Sequence, residues 1–216
     1  MKLLSDGPLI LHPAVPALPP ALDLIGIAVF ALTGSLVAAR LRQTFVTVAF
    51  FAVVTGVGGG TFRDLLIGAP VFWVHDHLVT PVCLIVALLA WFTPTRWWQG
   101  RVLEWADALG LAVYSVVGTI KALAWGVPIV PAVLMGVVTG CVGGIISDML
   151  AGQPTILMRS ELYVTAGALA AVLAAGGLAA GLPWTLTWSV AVAGGFALRG
   201  IAIYWSLGLP THRGER

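Results

Sequence analysis

Thr55-Gly-Val-Gly-Gly-Gly-Thr-Phe-Arg-Asp64 is the stretch on which the fold turns, because it occurs twice. Its echo, Thr139-Gly-Cys-Val-Gly-Gly-Ile-Ile-Ser-Asp148, follows 84 residues later without a gap. The same offset lays Asp23, Gly26, Ala28, Val29, Gly34 and Ala38 on Asp107, Gly110, Ala112, Val113, Gly118 and Ala122. It also lays Gly68 on Gly152 and Pro70 on Pro154. Polar residues and glycines match as well as apolar ones, so the repeat is not an accident of composition.

The surroundings of both stretches are apolar. Of 216 residues, 59% are hydrophobic and 9% charged, and the mean hydropathy is +1.01. Ordinary soluble domains are about 25% charged. The charges separate apolar runs long enough to cross a hydrocarbon core of about 30 Å as helix. Seven membrane spans are expected, at 21–39, 43–60, 77–93, 104–125, 128–145, 160–180 and 183–207. A chain of this kind is an all-α polytopic membrane protein. The first repeat covers 21–95 and the second 104–180. A seventh helix at 183–207 lies outside the repeat, between an N-terminal tail at 1–20 and a short tail at 208–216. With three spans per unit, the second copy enters from the opposite face, giving an inverted repeat.

Arg40, Arg42, Arg96, Arg101, Arg159, Arg213 and Arg216 fall on one side of these spans. The positive-inside rule therefore puts the C-terminus in the cytoplasm and the N-terminus outside. The basic residues sit singly, as topology signals, so no nucleic-acid partner is expected. Proline and Asp6 interrupt the first twenty residues, which are read as an irregular, non-cleaved tail. Cys83 and Cys141 lie within apolar spans and read as small core residues. No nucleophile–base pair or complete ligand set is visible. His75-Asp76-His77 reads as a solvated loop, leaving no enzyme, cofactor or metal site to expect. Trp73, Trp97, Trp98 and Trp105 near span ends read as interfacial anchors.

Gly56, Gly58, Gly59 and Gly60 each disfavour helix by nearly ~1 kcal/mol relative to alanine. Gly58 lies about 24 Å along the second span from Arg42. A break there falls inside the membrane, where opened backbone must be buried or line a water-filled cavity. Close helix packing is the alternative use of such glycines. The reading favoured is a broken helix lining a polar path. Charged residues in the membrane point to function, and the candidate pore and gate residues are Thr55, Gly58, Gly59, Gly60, Arg63, Asp64, Lys121, Thr139, Gly143, Gly144, Ser147 and Asp148. In this reading opened carbonyls and the hydroxyls of Thr55, Thr139 and Ser147 partly replace a cation's hydration shell. Arg63 and Lys121 pair with the aspartates as a gate. Lys121 and Arg199 have a second reading as snorkelling side chains near span ends, and for Arg199 this is the favoured one.

The Asp23/Gly26 and Asp107/Gly110 openings, the run Gly58-Gly-Gly-Thr-Phe-Arg-Asp-Leu-Leu-Ile-Gly-Ala-Pro70 and the second glycine motif together resemble the trimeric intracellular cation (TRIC) channels. Their bacterial relatives are also labelled as a glycine-transporter domain family. The resemblance covers about residues 21–207. It implies a homotrimer with one hourglass pore per protomer, formed by the first, second, fourth and fifth spans, kinked at the glycines and passing potassium or other monovalent cations. It also implies a prokaryotic member in the cell membrane among lipids. Ser147 stands where relatives often repeat the arginine. Inverted repeats with broken helices also build secondary transporters, so a carrier of glycine or a similar small solute remains an alternative. A non-conducting structural protein is the third.

Overall fold

The computed structural model describes residues 20–94, 97, 101–155 and 162–208. Residues 1–19 of the tail expected at 1–20, the loop arginines Arg96 and Arg159, Trp98 and the C-terminal Arg213 and Arg216 lie outside the described residues, while Pro20 opens the first helix. Eight helices follow one another among the described residues: α1 (Pro20–Arg40), α2 (Phe45–Leu66), α3 (Phe72–His75), α4 (Val79–Phe92), α5 (Arg101–Ala124), α6 (Ile129–Leu150), α7 (Tyr163–Ala179) and α8 (Trp184–Trp205).

The all-α membrane class holds. Five helices, α1, α2, α5, α6 and α8, are long and apolar enough to cross a membrane. The other two apolar helices are shorter than the expected spans. The 14 residues of α4 and the 17 of α7 extend about 21 and 26 Å. Thr93 ends α4 because it precedes Pro94 and takes an extended conformation, with ψ 136°, as the residue before proline prefers. The four-residue α3 is an element the apolar pattern did not announce.

The glycine clusters do not break their helices. α2 and α6 are each continuous over 22 residues, straight through Gly56–Gly60 and Gly140–Gly144. The propensity cost of glycine is measured in water. In an apolar surrounding, an opened turn leaves N–H and C=O groups without partners, so the closed helix wins. Both helices stop at equivalent glycines instead. Gly68 has φ +70° and Gly152 φ +63°, a left-handed conformation that glycine adopts without a Cβ clash. In each, the chain then turns back onto the last turn of helix: Ala69 N–H donates to Asp64 O at 2.8 Å and Gln153 N–H to Asp148 O at 2.9 Å, the Schellman pattern.

Contacts between helices are patterned as two similar groups. α1 packs on α2 and α4, α5 packs on α6 and α7, and the groups meet where α2 crosses α6 and α1 crosses α5. α8 lies against α5 and α7. The α1–α5 contact is built on Phe30 and Tyr114, which are equivalent at the 84-residue offset. Their rings meet edge to face, 5.1 Å between centroids and 88° between planes. Each ring occupies space that glycine leaves on the other helix: Tyr114 lies over Gly26, and Phe30 beside Gly110.

Candidate functional site

The glycine clusters are the point of closest approach of α2 and α6. A Cβ on Gly59 would strike the backbone carbonyl of Thr139, and one on Gly143 would lie 2.5 Å from the carbonyl oxygen of Thr55. The contact is reciprocal, since Thr55 and Gly59 occupy the positions equivalent to Thr139 and Gly143. Gly58 faces Ile146 and the Cα of Gly143 in the same crossing. Small residues let helix backbones meet in this way in lipid, where van der Waals packing drives association. The opened carbonyls expected at Gly58–Gly60 and Gly143–Gly144 are therefore not present, and the close-packing use of these glycines is the one realised.

The hydroxyls of Thr55 and Thr139 turn the other way. Thr55 Oγ1 packs on Gly34 of α1, and Thr139 Oγ1 on Gly118 of α5. Thr139 donates to Met135 O at 2.6 Å. The buried hydroxyls of Thr55, Ser115 and Ser147 have no protein hydrogen-bond partner among the described residues.

One turn beyond the glycines, α2 carries Arg63 and Asp64, 3% and 0% exposed. The Asp64 carboxylate is held from three directions. Arg63 reaches Oδ1 through Nε at 2.9 Å and a terminal nitrogen at 2.8 Å. Lys121 Nζ crosses from α5 to Oδ1 at 2.8 Å and Oδ2 at 2.9 Å. The backbone N–H of Phe72, at the start of α3, donates to Oδ2 at 3.0 Å. Lys121 is therefore committed to Asp64, 57 residues away in sequence, and does not snorkel. Both cations face the Phe72 ring: Arg63 Cζ lies 6.0 Å and Lys121 Nζ 5.7 Å from its centroid. That ring packs on Gly60. Trp73 Nε1 donates to Thr61 Oγ1 at 2.9 Å, pinning α3 across the end of α2. Trp73 is thus engaged within the fold, not only at an interface.

The equivalent end of α6 is different. Ser147 is buried at 3% exposure and Asp148 is half-buried; Val37, the position equivalent to Lys121, brings no charge. Gly144 faces the hydroxyl of Tyr163, the first residue of α7, with 4.0 Å to spare for a Cβ. Of the expected site, then, the structure brings together Arg63, Asp64 and Lys121 in one cluster, and Thr55, Gly58, Gly59, Thr139 and Gly143 in one crossing. Gly60 joins the two through Phe72. Gly144, Ser147 and Asp148 stand apart at the other end. Phe72 and Tyr163 were not singled out in the sequence, where each is one aromatic among many. The Pro70 turn beside Phe72 was the available signal.

Known proteins resemble the chain over most of its length. The family profile described as "Glycine transporter" matches twice, at residues 20–95 and again at 104–179. A UPF0126 membrane protein of Vibrio cholerae is 39% identical over 196 residues, 88% of this chain and 81% of that protein. The UPF0126 inner membrane protein YadS of Escherichia coli is 38% identical over 197 residues, 88% of this chain and 94% of that one. Among solved structures, the TRIC trimeric intracellular cation channel orthologue from Rhodobacter sphaeroides superposes with a TM-score of 0.80 at 38% identity, covering 87% of this chain and 98% of that one. The chain belongs to the family that joins the UPF0126 membrane proteins to the bacterial TRIC channels.

Proposed function

We propose that this protein is a channel for potassium and similar monovalent cations, working as a homotrimer in the cell membrane with one path per protomer. The observation that carries the reading is the Asp64 carboxylate, fully buried and held by Arg63 and Lys121, in a chain 38% identical to a TRIC orthologue across nearly that whole protein. Charges in the membrane interior are costly and face paths or partners. The path runs among α1, α2, α5 and α6, the four helices whose polar and glycine positions repeat. The two family-profile matches and the reciprocal contacts of Gly59 and Gly143 support the inverted repeat of two three-helix units followed by α8. The arginine pattern supports an outside N-terminus and a cytoplasmic C-terminus.

The conformation described is closed. At the α2–α6 crossing, backbone meets backbone, and at the end of α2 the carboxylate that would favour a passing cation is saturated by two cations. Of these, Arg63 adjoins Asp64 in the chain and is buried. The Lys121 side chain is 25% exposed and comes from another helix, so the Lys121–Asp64 bridge is the contact that opens. Moving one charge across the whole membrane field is worth about 2.3 kcal/mol per 100 mV, enough to make that bridge voltage-sensitive. Once it parts, Asp64 and the hydroxyls of Thr55, Thr139 and Ser147 line the route.

Purified protein in a planar bilayer under a potassium chloride gradient tests this. A picoampere current reversing near the potassium equilibrium potential is expected. The family's other description favours a second reading, a carrier of glycine or a similar solute. Saturable glycine counterflow in liposomes without such current would replace the channel with it.

A further inference from the structure

We propose that Asp23, in the first turn of α1, is the second seat of the gating lysine: when Lys121 leaves Asp64, its ammonium passes to Asp23. The charge stays paired while the Asp64 carboxylate is cleared for a cation. The inference rests on the channel reading above and adds the residue that receives the charge.

In the closed conformation both ion pairs of the cluster end on Asp64. Asp23 is half-buried beside them, on a helix that packs against both α2 and α5, and its carboxylate lies in electrostatic range of Arg63, Lys121 and Asp64. The register of the α1–α5 contact gives the reach. Gly110 lies beside Val29 and Phe30, and Tyr114 lies over Gly26, so a turn forward along α5 answers to a turn back along α1. The two helices run antiparallel there, and one further turn brings Val117 level with Asp23. Side chains lean toward the N-terminus of their own helix, so Lys121, a turn beyond Val117, reaches back to that level. Tyr114 and Lys121 are seven residues apart on α5 and so share the face it turns to α1. The Tyr114 hydroxyl marks the spot: it donates to Asp23 O at 3.4 Å, with the Asp23 carboxylate also in hydrogen-bonding range.

The second repeat shows what such a seat holds. Asp107 is the residue equivalent to Asp23, and it too lies in hydrogen-bonding range of a buried tyrosine hydroxyl, that of Tyr163. A cation is already there. Arg199 of α8 is 5% exposed, so it does not snorkel, and its guanidinium carbon lies 5.2 Å from the centroid of the Tyr163 ring. At one end of the protomer the aspartate and tyrosine have a cation beside them; at the other, the cation on a long arm, Lys121, is drawn aside to Asp64. Tyr114 and Tyr163 are not equivalent at the 84-residue offset, and Arg199 belongs to neither repeat, so aligning the two copies does not reveal the match.

Energy favours transfer over release. Taking one partner from an ion pair in the membrane leaves the other charge uncompensated, at a cost above what the field returns to one charge crossing part of it. A second carboxylate within reach of the same arm removes most of that cost and gives the gate two discrete positions.

Single-channel recordings in symmetric potassium chloride compare the wild type with Asp23→Asn, Asp23→Glu, Lys121→Gln and the double variant Asp23→Asn/Lys121→Gln. Asp23→Asn is expected to lower open probability by roughly tenfold, because the open state loses its ion pair while the closed state keeps Asp64. Asp23→Glu, which keeps the carboxylate, brings it back toward the wild-type value. Lys121→Gln raises open probability, and adding Asp23→Asn to it has no further effect, since the arm that Asp23 receives is gone. A structural role for Asp23, or an attraction of cations to the mouth, predicts the same loss with and without Lys121; that result overturns the inference alone. So does an Asp23→Asn channel that opens as often as the wild type or more often. If Asp23→Asn is not recovered as folded protein, Asp23→Ser, small and uncharged, takes its place with the same expectation. A silent wild type overturns the channel reading and the inference together.

Discussion

The end of α2 and the end of α6 begin from matching sequence and finish as different sites. Both helices run through a glycine cluster into an aspartate and stop at a left-handed glycine, Gly68 or Gly152. At the end of α2 the aspartate is wholly buried and gripped by Arg63, Lys121 and the Phe72 amide. At the end of α6 the aspartate is half-buried, and serine and valine occupy the two cationic positions. The backbone is duplicated while the charge is not. A repeat can diverge this way because glycine contacts fix how the helices cross, whereas side chains beyond the crossing are free to change.

The sharpest way to break the comparison is to neutralise each aspartate. Asp64→Asn leaves the buried Arg63 and the half-buried Lys121 without their carboxylate and is expected to cost about 3–5 kcal/mol. Asp148→Asn, at a half-buried position, stays within about 1 kcal/mol. Thermal unfolding in detergent, followed by fluorescence-detected size exclusion, reads both. Equal losses would mean that the two ends are balanced alike.

Next in size is the glycine crossing, where the halves are expected to behave alike. Gly59→Ala and Gly143→Ala each drive a methyl into a backbone carbonyl of the other helix and should lose about 1–3 kcal/mol. Gly144→Ala has 4.0 Å to the nearest atom and should change stability by less than about 0.5 kcal/mol. A destabilised Gly144→Ala alongside a tolerant Gly59→Ala would reverse the assignment of the tight contact.

A smaller loss than at the glycine crossing separates ring from charge. Phe72→Leu keeps an apolar group on Gly60 but removes the ring facing Arg63 and Lys121, a contribution of about 0.5–2 kcal/mol. Its clearer signature is in gating. With the two cations held less firmly, open probability should rise, and bilayer recordings that find it unchanged would remove Phe72 from the gate.

Much of this was legible in the sequence. Apolar runs announced the membrane, the 84-residue offset announced two related units, and Arg63, Asp64 and Lys121 stood out because charge in lipid is costly. The role of the glycines was not legible. Residue propensities suit a helix in water, and whether a glycine cluster opens a helix or lets another lie against it depends on what arrives from α6. Nor did the sequence show that Trp105, read as an interfacial anchor, also packs on Gly200 and Phe196. Sequence also suggested that Arg199 would snorkel, since distance from the helix end is all a linear reading offers.

By itself, then, the sequence determined the class, the duplication and the inventory of charges, because hydropathy and repetition are properties of the chain alone. Only the tertiary structure decided that the glycines close the α2–α6 crossing, that Lys121 reaches Asp64, and that Arg199 turns in over Tyr163. Each of these is a contact between helices far apart in sequence, whose distance and direction are set by packing, not by anything local to the residues involved.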